Sequence, residues 1–152
     1  IASGIVIPPW WYIPKIRADL RPLFTPEQSM GRIQAILHVA RTDFLKKNHA
    51  AVQDFFEDYL RAWRWFLDPK NRDEALDIMA RITKQPRENF ESWALQKGTD
   101  YYRDPDGLVN AEALQNNINV MHELGYLKKR LIVKPYIDMS YIQEASGRLA
   151  AQ

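Results

Sequence analysis

The sequence contains no cysteine, only three histidines and no long uninterrupted apolar run. Without cysteine the chain can form no disulfide, no thiolate nucleophile and no cysteine-ligated zinc site. The histidines, His38, His49 and His122, are too far apart in the sequence to form a local metal-binding motif. The apolar runs are much shorter than the roughly 20 residues that a membrane-spanning helix requires. These absences exclude cysteine chemistry and argue against a local metal site.

Charge of either sign is also not concentrated anywhere along the chain. The 21 basic and 19 acidic residues give a formal net charge of +2 and are spread through the sequence. The sequence has no block of like charge of the kind that is typical of nucleic-acid or membrane-surface binding. Glycine-rich phosphate loops and the Gly-x-Ser-x-Gly motif are missing, so nucleotide binding and serine hydrolysis have no motif support. We expect no nucleic-acid partner, no metal and no cofactor.

What is present fits one domain, because 152 residues of which 46% are apolar can bury a sizeable core. Beyond Asn48 the apolar residues recur at spacings of three and four, which is typical of amphipathic helices. This pattern predicts a helix capped by Asn48, a second that starts with a capping box at Asn71, and a third that opens at Pro86. A fourth helix is predicted to start at the cap Asn110 and a fifth near Ser140.

Strands are predicted only near the N-terminal end of the sequence. Residues 1–7 are a short apolar segment that Pro8-Pro9 ends, and residues 19–24 are a second possible short strand. Residues 33–40 are apolar except for Gln34 and His38, and this run is continuous enough to favour a strand that is buried on both faces. The expected architecture is therefore helix-dominated with a few short strands.

Pro9, Trp10, Trp11 and Gln34 are the candidate ligand contacts. A Pro-Pro turn after a strand is expected to leave backbone N–H groups of the next turn unpaired beside aromatic faces, which suits an anionic or flat solute. The alternative is that the two tryptophans pack in an interface inside the protein. Gln34 interrupts an apolar run, so it either binds a ligand or satisfies backbone groups in the core.

Other polar residues have simpler interpretations. The acidic residues Asp54, Glu57 and Asp58 lie near the start of a predicted helix, where the helix dipole favours anions, and Arg61 follows at a spacing that allows ion pairs. We interpret them as a solvated helix face. His38 lies in the predicted buried strand and is interpreted as a core histidine with its polar atoms satisfied.

Four segments of the last third carry a family resemblance. They are residues 100–107 (Asp-Tyr-Tyr-Arg-Asp-Pro-Asp-Gly), 115–120 (Gln-Asn-Asn-Ile-Asn-Val), 123–129 (Glu-Leu-Gly-Tyr-Leu-Lys-Lys) and 136–140 (Tyr-Ile-Asp-Met-Ser). Their order resembles the C-terminal end of the nitrate/sulfonate/taurine-type solute-binding proteins of ABC importers. That family includes relatives that handle pyrimidine precursors of thiamine.

The resemblance implies an α/β, helix-dominated fold, namely the C-terminal part of a type II periplasmic-binding-protein fold. Residues 1–32 would be the end of lobe 2, and residues 33–47 the interlobe crossover strand and a turn. Residues 48–152 would then be the C-terminal helices that complete lobe 1. On this interpretation the chain is a C-terminal fragment that lacks most of the first lobe.

The function implied by the resemblance is that of a solute-binding component of an ABC importer. A small anionic or aromatic solute would bind in the interlobe cleft, near Pro9, Trp10, Trp11 and Gln34, and would stabilise the closed arrangement of the lobes. The partners implied are the solute, the transporter permease, and the missing N-terminal lobe or a second copy. Localisation would be periplasmic or extracellular, with membrane contact only through the permease.

Two alternatives remain open at this point. The same fold carries enzymes, such as decarboxylases and pyrimidine-precursor synthases, but the absence of cysteine argues against the cysteine-bearing synthases. No constellation of histidine and carboxylates supports a decarboxylase, so we expect no enzymatic activity. The other alternative is a helical interaction module with no small-molecule ligand.

Overall fold

The computed structural model describes residues 3–97 and 103–151. Helices dominate these two ranges, as the sequence predicts. In chain order they are α1 (Pro14–Arg17), α2 (Pro26–Met30), α3 (Thr42–Lys47), α4 (His49–Leu67), α5 (Arg72–Thr83), α6 (Glu88–Glu91), α7 (Ala111–Glu123) and α8 (Ser140–Ala150). Short 3-10 helices occur at Trp10–Tyr12, Pro69–Asn71 and Lys134–Tyr136.

The chain divides into two compact units. The first unit comprises Ile1–Leu23 and Arg64–Arg103, and the second comprises Phe24–Trp63 and Asp104–Gln152. Helix α4 therefore begins in the second unit and ends in the first. Each unit has a hydrophobic core of its own.

The core of the first unit forms where α5 and α6 meet. Leu76, Phe90, Trp93 and Ala94 are all at most 5% exposed and form one apolar cluster. Tyr12 packs against this cluster, and its ring stacks on that of Trp93 with 5.3 Å between centroids. Phe90, Trp93 and Ala94 are thus the buried residues of the segment that follows Pro86.

Arg87 joins α5 to α6 at the surface of this unit. Its guanidinium donates to Asp73 at 2.8 Å and to Glu91 at 2.8 Å, and it also forms an ion pair with Asp77. Hydrogen bonds raise the pKa of Arg87 above its usual range, with the largest contribution from Asp77 and the next largest from Glu91. Because one guanidinium binds carboxylates of both helices, we interpret the cluster as structural, although its single positive charge offsets only part of the negative charge.

The core of the second unit lies between α4 and α8. Leu60, Ile142 and Ala145 are buried, and partly buried apolar residues surround them: Phe56, Tyr59, Leu108, Met139 and Leu149. A turn closes one side of this core, with the N–H of Gly107 donating to the carbonyl of Asp104 at 3.0 Å. This turn belongs to the part of residues 100–107 that the structure describes, while Asp100, Tyr101 and Tyr102 lie outside the described residues.

Helix starts are predicted more reliably than the side chains that cap them. The cap at Asn110 is confirmed, since its side chain accepts from the N–H of Ala113 at 2.9 Å. Asn48 instead donates its side-chain amide to the carbonyl of Phe44, at the end of α3. Asn71 donates to the carbonyl of Trp65, so the predicted capping box is wrong. Asn48 directly follows α3, and Asn71 ends the short 3-10 helix after α4, so the last carbonyls of a preceding α-helix compete for each amide.

The strand predictions are wrong for the residues that the structure describes. Residues 3–7, 19–24 and 33–40 contain no strand, including the predicted crossover strand, and Ile1 and Ala2 lie outside the described ranges. A strand requires a neighbouring strand to accept and donate its hydrogen bonds, and no described segment offers one. The helix-dominated part of the predicted fold class is confirmed.

The described helices include none that is both long enough and apolar enough to span a bilayer.

Candidate functional site

The Pro-Pro-Trp-Trp segment winds into a tight turn in the first unit. Pro9 is buried, Trp11 is half-buried and Trp10 remains 45% exposed. The N–H of Trp11 donates to the carbonyl of Ile7 at 3.4 Å, and the N–H of Tyr12 donates to the carbonyl of Pro9 at 2.9 Å. The expectation of unpaired N–H groups is therefore wrong for these two residues, because the 3-10 turn supplies carbonyl acceptors.

Arg17 completes a small surface cluster with the two tryptophans. Its guanidinium carbon lies 4.9 Å from the ring centroid of Trp11, which is a cation–π distance. Pro14 favours the first turn of α1, and this single turn brings Arg17 back beside Trp11. Arg17 is exposed and forms no ion pair with any carboxylate among the described residues. We call Trp10, Trp11 and Arg17 the tryptophan–arginine cluster.

Sequence reasoning selected the tryptophans but missed Arg17. The available signal was weak: a proline that favours a short helix, with an arginine one turn later. The cluster presents an indole face and an available guanidinium next to each other. That combination can stack on a flat ring and bind an anion at the same time.

Gln34, the remaining predicted contact, belongs to the second unit and uses its amide on the backbone. Its Oε1 accepts from the N–H of Asn110 at 3.0 Å, and its Nε2 donates to the carbonyl of Ile36 at 2.9 Å. Its own N–H donates to Oδ1 of Asn117 at 3.0 Å. These contacts favour the interpretation of Gln34 as a residue that satisfies backbone groups.

Side-chain amides of α7 hold the segment that precedes Gln34. Asn116 donates its Nδ2 to the carbonyl of Met30 at 2.8 Å, and Asn117 donates its Nδ2 to the carbonyl of Arg32 at 3.2 Å. These bonds replace the strand pairing that the apolar run suggested. The irregular backbone before Gln34 is thus attached to α7 by the side-chain amides of Asn116 and Asn117.

Gln115 performs the same role on a different segment. Its Nε2 donates to the carbonyl of Leu131 at 2.9 Å, and its Oε1 accepts from the N–H of Val133 at 2.9 Å. Gln34, Gln115, Asn116 and Asn117 together form what we call the amide cluster. The residues 115–120 that carry part of the family resemblance thus have a structural role in attaching two irregular segments to α7.

Replacing Gln34 by leucine is expected to lower the free energy of unfolding by about 1–2 kcal/mol, since the N–H of Asn110 loses its partner at a partly buried position. Urea unfolding followed by circular dichroism measures the change. Gln143→Leu is the matched control, because Gln143 is exposed on α8 and should shift stability by less than about 0.5 kcal/mol. Unchanged stability of Gln34→Leu combined with weaker solute binding would contradict the structural role.

Asp54 and Asp58 of α4 are exposed, as predicted for a solvated face, whereas the side chain of Glu57 is only 13% exposed. Arg61 lies 3.7 Å from Glu57 and 3.0 Å from Asp58, and Glu57 also pairs with Arg148 at 3.2 Å. Hydrogen bonds raise the pKa of Arg148, with the largest contribution from Glu144 and the next largest from Glu57. The ion pair between Glu57 and Arg148 joins α4 to α8.

His38 is exposed, so its prediction as a core histidine is wrong. It contacts the rings of Phe55, Phe56 and Tyr59, with 4.8 Å between the centroids of His38 and Tyr59. Burial raises the pKa of the Tyr59 hydroxyl. Within residues 3–97 and 103–151 no group of three or more histidines and carboxylates could hold a metal ion.

A groove lies beside the first turns of α7 in the second unit. Its volume is about 490 Å³, and it is lined by Ala111, Glu112, Gln115, Val133, Lys134, Ile137 and Met139. Glu112 and Lys134 are its only charged lining residues, and its walls are otherwise mostly apolar. None of the predicted ligand contacts lines this groove.

Comparisons of the chain with protein-family models, with curated proteins and with solved structures find no match. The candidate site is therefore defined by geometry, as the tryptophan–arginine cluster beside Pro9.

Proposed function

We propose that this chain is the C-terminal part of the solute-binding component of an ABC importer. The proposal starts from the family resemblance carried by residues 115–120, 123–129 and 136–140. The prevalence of helices among the described residues after Asn48 agrees with what that resemblance implies for the C-terminal segment. The solute would be small, and either anionic or aromatic.

The observation that carries the ligand class is the position of Arg17 over Trp11. An exposed cation–π pair contributes only about 0.5–1 kcal/mol, so the guanidinium can turn toward an incoming anion at little cost. Trp10, at 45% exposed, offers a second aromatic face in the same turn. An aromatic sulfonate or carboxylate would use both the ring surface and the charge.

The proposed mechanism is closure of two lobes around the solute. The solute binds the closed arrangement more tightly than the open one, and this difference in affinity shifts the population toward closure. The tryptophan–arginine cluster would supply one wall of the cleft. The 152-residue chain alone would lack the opposite wall and would bind the solute weakly.

The test compares the 152-residue chain with the full-length product of the gene that encodes it, using benzenesulfonate as the probe in isothermal titration calorimetry. We expect the full-length protein to bind benzenesulfonate, and the 152-residue chain to bind it at least about tenfold more weakly. Arg17→Gln in the full-length protein should also raise Kd by about tenfold, since the cationic partner of the sulfonate is lost. Benzyl alcohol, which keeps the ring without the charge, should respond little to this substitution.

Arg21→Gln is the matched control, because Arg21 is another exposed arginine of the same segment. It should leave Kd within about twofold of the unmodified protein. A gene product with no additional lobe would contradict the proposal, as would benzenesulfonate binding that is equally strong in the Arg17→Gln variant.

A further inference from the structure

The connection between α7 and α8 concentrates positive charge. Residues 124–137 contain four cations and no carboxylate, and the cations are Lys128, Lys129, Arg130 and Lys134. We call residues 124–137 the basic loop. Charge is evenly spread along the chain as a whole, and the expectation of no membrane-surface binding depended on that spread. The basic loop is a local exception to it.

The cations of the basic loop are exposed and have no carboxylate partners. All four are exposed, and none forms an ion pair within residues 3–97 and 103–151. Arg130 donates its Nε to Oδ1 of Asn119 at 3.3 Å, and this neutral amide leaves the charge of the guanidinium uncompensated. The positive potential of the loop therefore extends into the solvent.

The nearest carboxylates along the chain and in the groove do not cancel this charge. Asp138, the residue after the loop, accepts from the N–H and from the hydroxyl of Ser140, at 2.9 and 2.6 Å. Glu112 lines the same groove as Lys134 but forms no ion pair with it. The basic loop is therefore suited to an anionic partner.

Large apolar side chains are exposed among these cations. Tyr126 is 76% exposed, Ile132 is 58% exposed and Tyr136 is 81% exposed. Leu124 and Leu131 are exposed as well. Aliphatic side chains and tyrosine rings next to cations are typical of protein surfaces that lie at the boundary between lipid headgroups and acyl chains.

Contacts with α7 hold the backbone of the basic loop. The N–H of Tyr126 donates to the carbonyl of Met121 at 2.9 Å, and Gln115 binds the main chain at Leu131 and Val133. The loop is thus attached to α7 at its start and in its second half. Binding of a partner would require little further ordering of this backbone.

We infer that the basic loop docks on the surface of an anionic lipid membrane. Its cations would bind the lipid phosphates, and Tyr126, Ile132 and Tyr136 would insert among the headgroups. The aliphatic side chains favour a lipid over a single-stranded nucleic acid, because bases stack on aromatic rings and gain little from isoleucine or leucine.

This inference goes beyond the proposed function, which gives membrane contact only to the permease. The proposed function places the basic loop in lobe 1 of a larger protein. Burial of four cations without carboxylate partners is strongly unfavourable. We therefore expect the basic loop to lie at the surface of the full-length protein as well.

Co-sedimentation with lipid vesicles tests the inference on the 152-residue chain and on the full-length product of its gene. We expect both to bind vesicles of phosphatidylcholine with about 30% phosphatidylglycerol, and to bind pure phosphatidylcholine vesicles at least about tenfold more weakly. Salt at about 0.5 M should weaken the binding, since exposed charges are screened. These comparisons use unmodified protein, so they do not depend on how any variant folds.

The double variant Lys128→Gln, Lys129→Gln should lower partitioning onto the anionic vesicles by about 25-fold, because each cation near the surface contributes about fivefold. Lys46→Gln, Lys47→Gln is the matched control, since these are also adjacent exposed lysines of the second unit. It changes the net charge equally and should lower partitioning by less than about threefold. Equal losses in the two double variants would overturn the inference, because net charge would then drive the binding.

Ile132→Ser keeps the charge of the basic loop and should weaken vesicle binding by at least about threefold, since an apolar side chain no longer inserts. Unchanged binding of this variant would overturn the insertion. An oligouridylate of about 20 nucleotides is the probe for nucleic-acid binding. Binding of this probe without binding of anionic vesicles would overturn the inference, as would vesicle binding by the 152-residue chain that the full-length protein lacks.

Discussion

Replacing Phe90 by alanine is expected to lower the free energy of unfolding by about 3–5 kcal/mol, the range for truncating a fully packed aromatic side chain. Phe90 is 2% exposed and packs with Leu76, Trp93 and Ala94 in the core of the first unit. Little of the lost volume can be refilled, since the neighbouring Trp93 is held by a 2.8 Å hydrogen bond from its indole to the carbonyl of Asn89. Urea unfolding measured by near-ultraviolet circular dichroism reports the change.

Phe44→Ala serves as the control for this substitution. Phe44 is the same residue type and also lies on a helix, but it is 53% exposed. Its truncation should cost less than about 1 kcal/mol, because little buried surface is lost. Equal destabilisation by the two variants would contradict the assignment of Phe90 to a packed core.

The Phe90 core also supports the candidate site. Tyr12 stacks on Trp93 at 5.3 Å, and Tyr12 is the last residue of the 3-10 turn that contains Trp10 and Trp11. The tryptophan–arginine cluster is thus built on the first unit's core by direct ring contact. Loosening of Trp93 in the Phe90→Ala variant should therefore disturb the cluster as well as the stability.

The second large effect is expected from Gly107→Ala, at about 2–4 kcal/mol of destabilisation, because two separate costs combine there. The φ angle of Gly107 is +66°, a left-handed conformation that disfavours a side chain. A Cβ at this position would also lie 3.0 Å from Cδ1 of Ile142 and 3.2 Å from Cε1 of Tyr59. Both neighbours belong to the second unit's core, so they have little room to move.

Gly125→Ala separates these two costs. Gly125 has a φ of +79°, but nothing lies within 4 Å of the position where its Cβ would be. This variant should lose only the conformational part, about 1–2 kcal/mol. If both variants show the same dependence of the free energy of unfolding on urea concentration, the difference between their urea midpoints gives the cost of the contacts at position 107. Equal losses in both variants would show that the Gly107 contacts relax without cost.

The helices were predictable because their signal is local. The spacing of apolar residues from Val52 to Phe66 predicts α4, and the Asn110 cap predicts the start of α7. Caps were predicted less well where one helix follows another directly. The side-chain amide of Asn48 could either donate to a carbonyl of the preceding helix α3 or accept from an N–H group of the following helix α4. The structure shows that it donates backward, to Phe44.

The strand predictions failed for a different reason. An apolar run such as residues 33–40 indicates that a segment is suited to burial, but a strand forms only where a second segment can pair with it. That pairing depends on contacts distant in sequence. Here the side-chain amides of Asn116 and Asn117 hold the preceding residues instead.

The candidate site was predictable only in part. Aromatic residues beside Pro8-Pro9 are visible in the sequence, and the structure places Trp10 at the surface. The contact between Arg17 and Trp11 depends on the direction in which α1 turns, which the sequence pattern does not specify. Gln34 shows the reverse case. Asn110, which donates to its side-chain Oε1, and Asn117, which accepts from its main-chain N–H, lie more than seventy residues away in the sequence.

The amide cluster has a consequence for the chemical durability of the protein. Asparagine is a thermolabile residue, and its deamidation replaces a donor amide with a carboxylate that can only accept hydrogen bonds. At Asn116 this carboxylate would face the carbonyl oxygen of Met30, to which the amide donates at 2.8 Å. Prolonged heating would therefore replace the hydrogen bond between Asn116 and Met30 by a repulsive contact between two oxygen atoms. Because the change is covalent, cooling would not restore the hydrogen bond. For this chain, the time spent at high temperature matters in addition to the temperature reached.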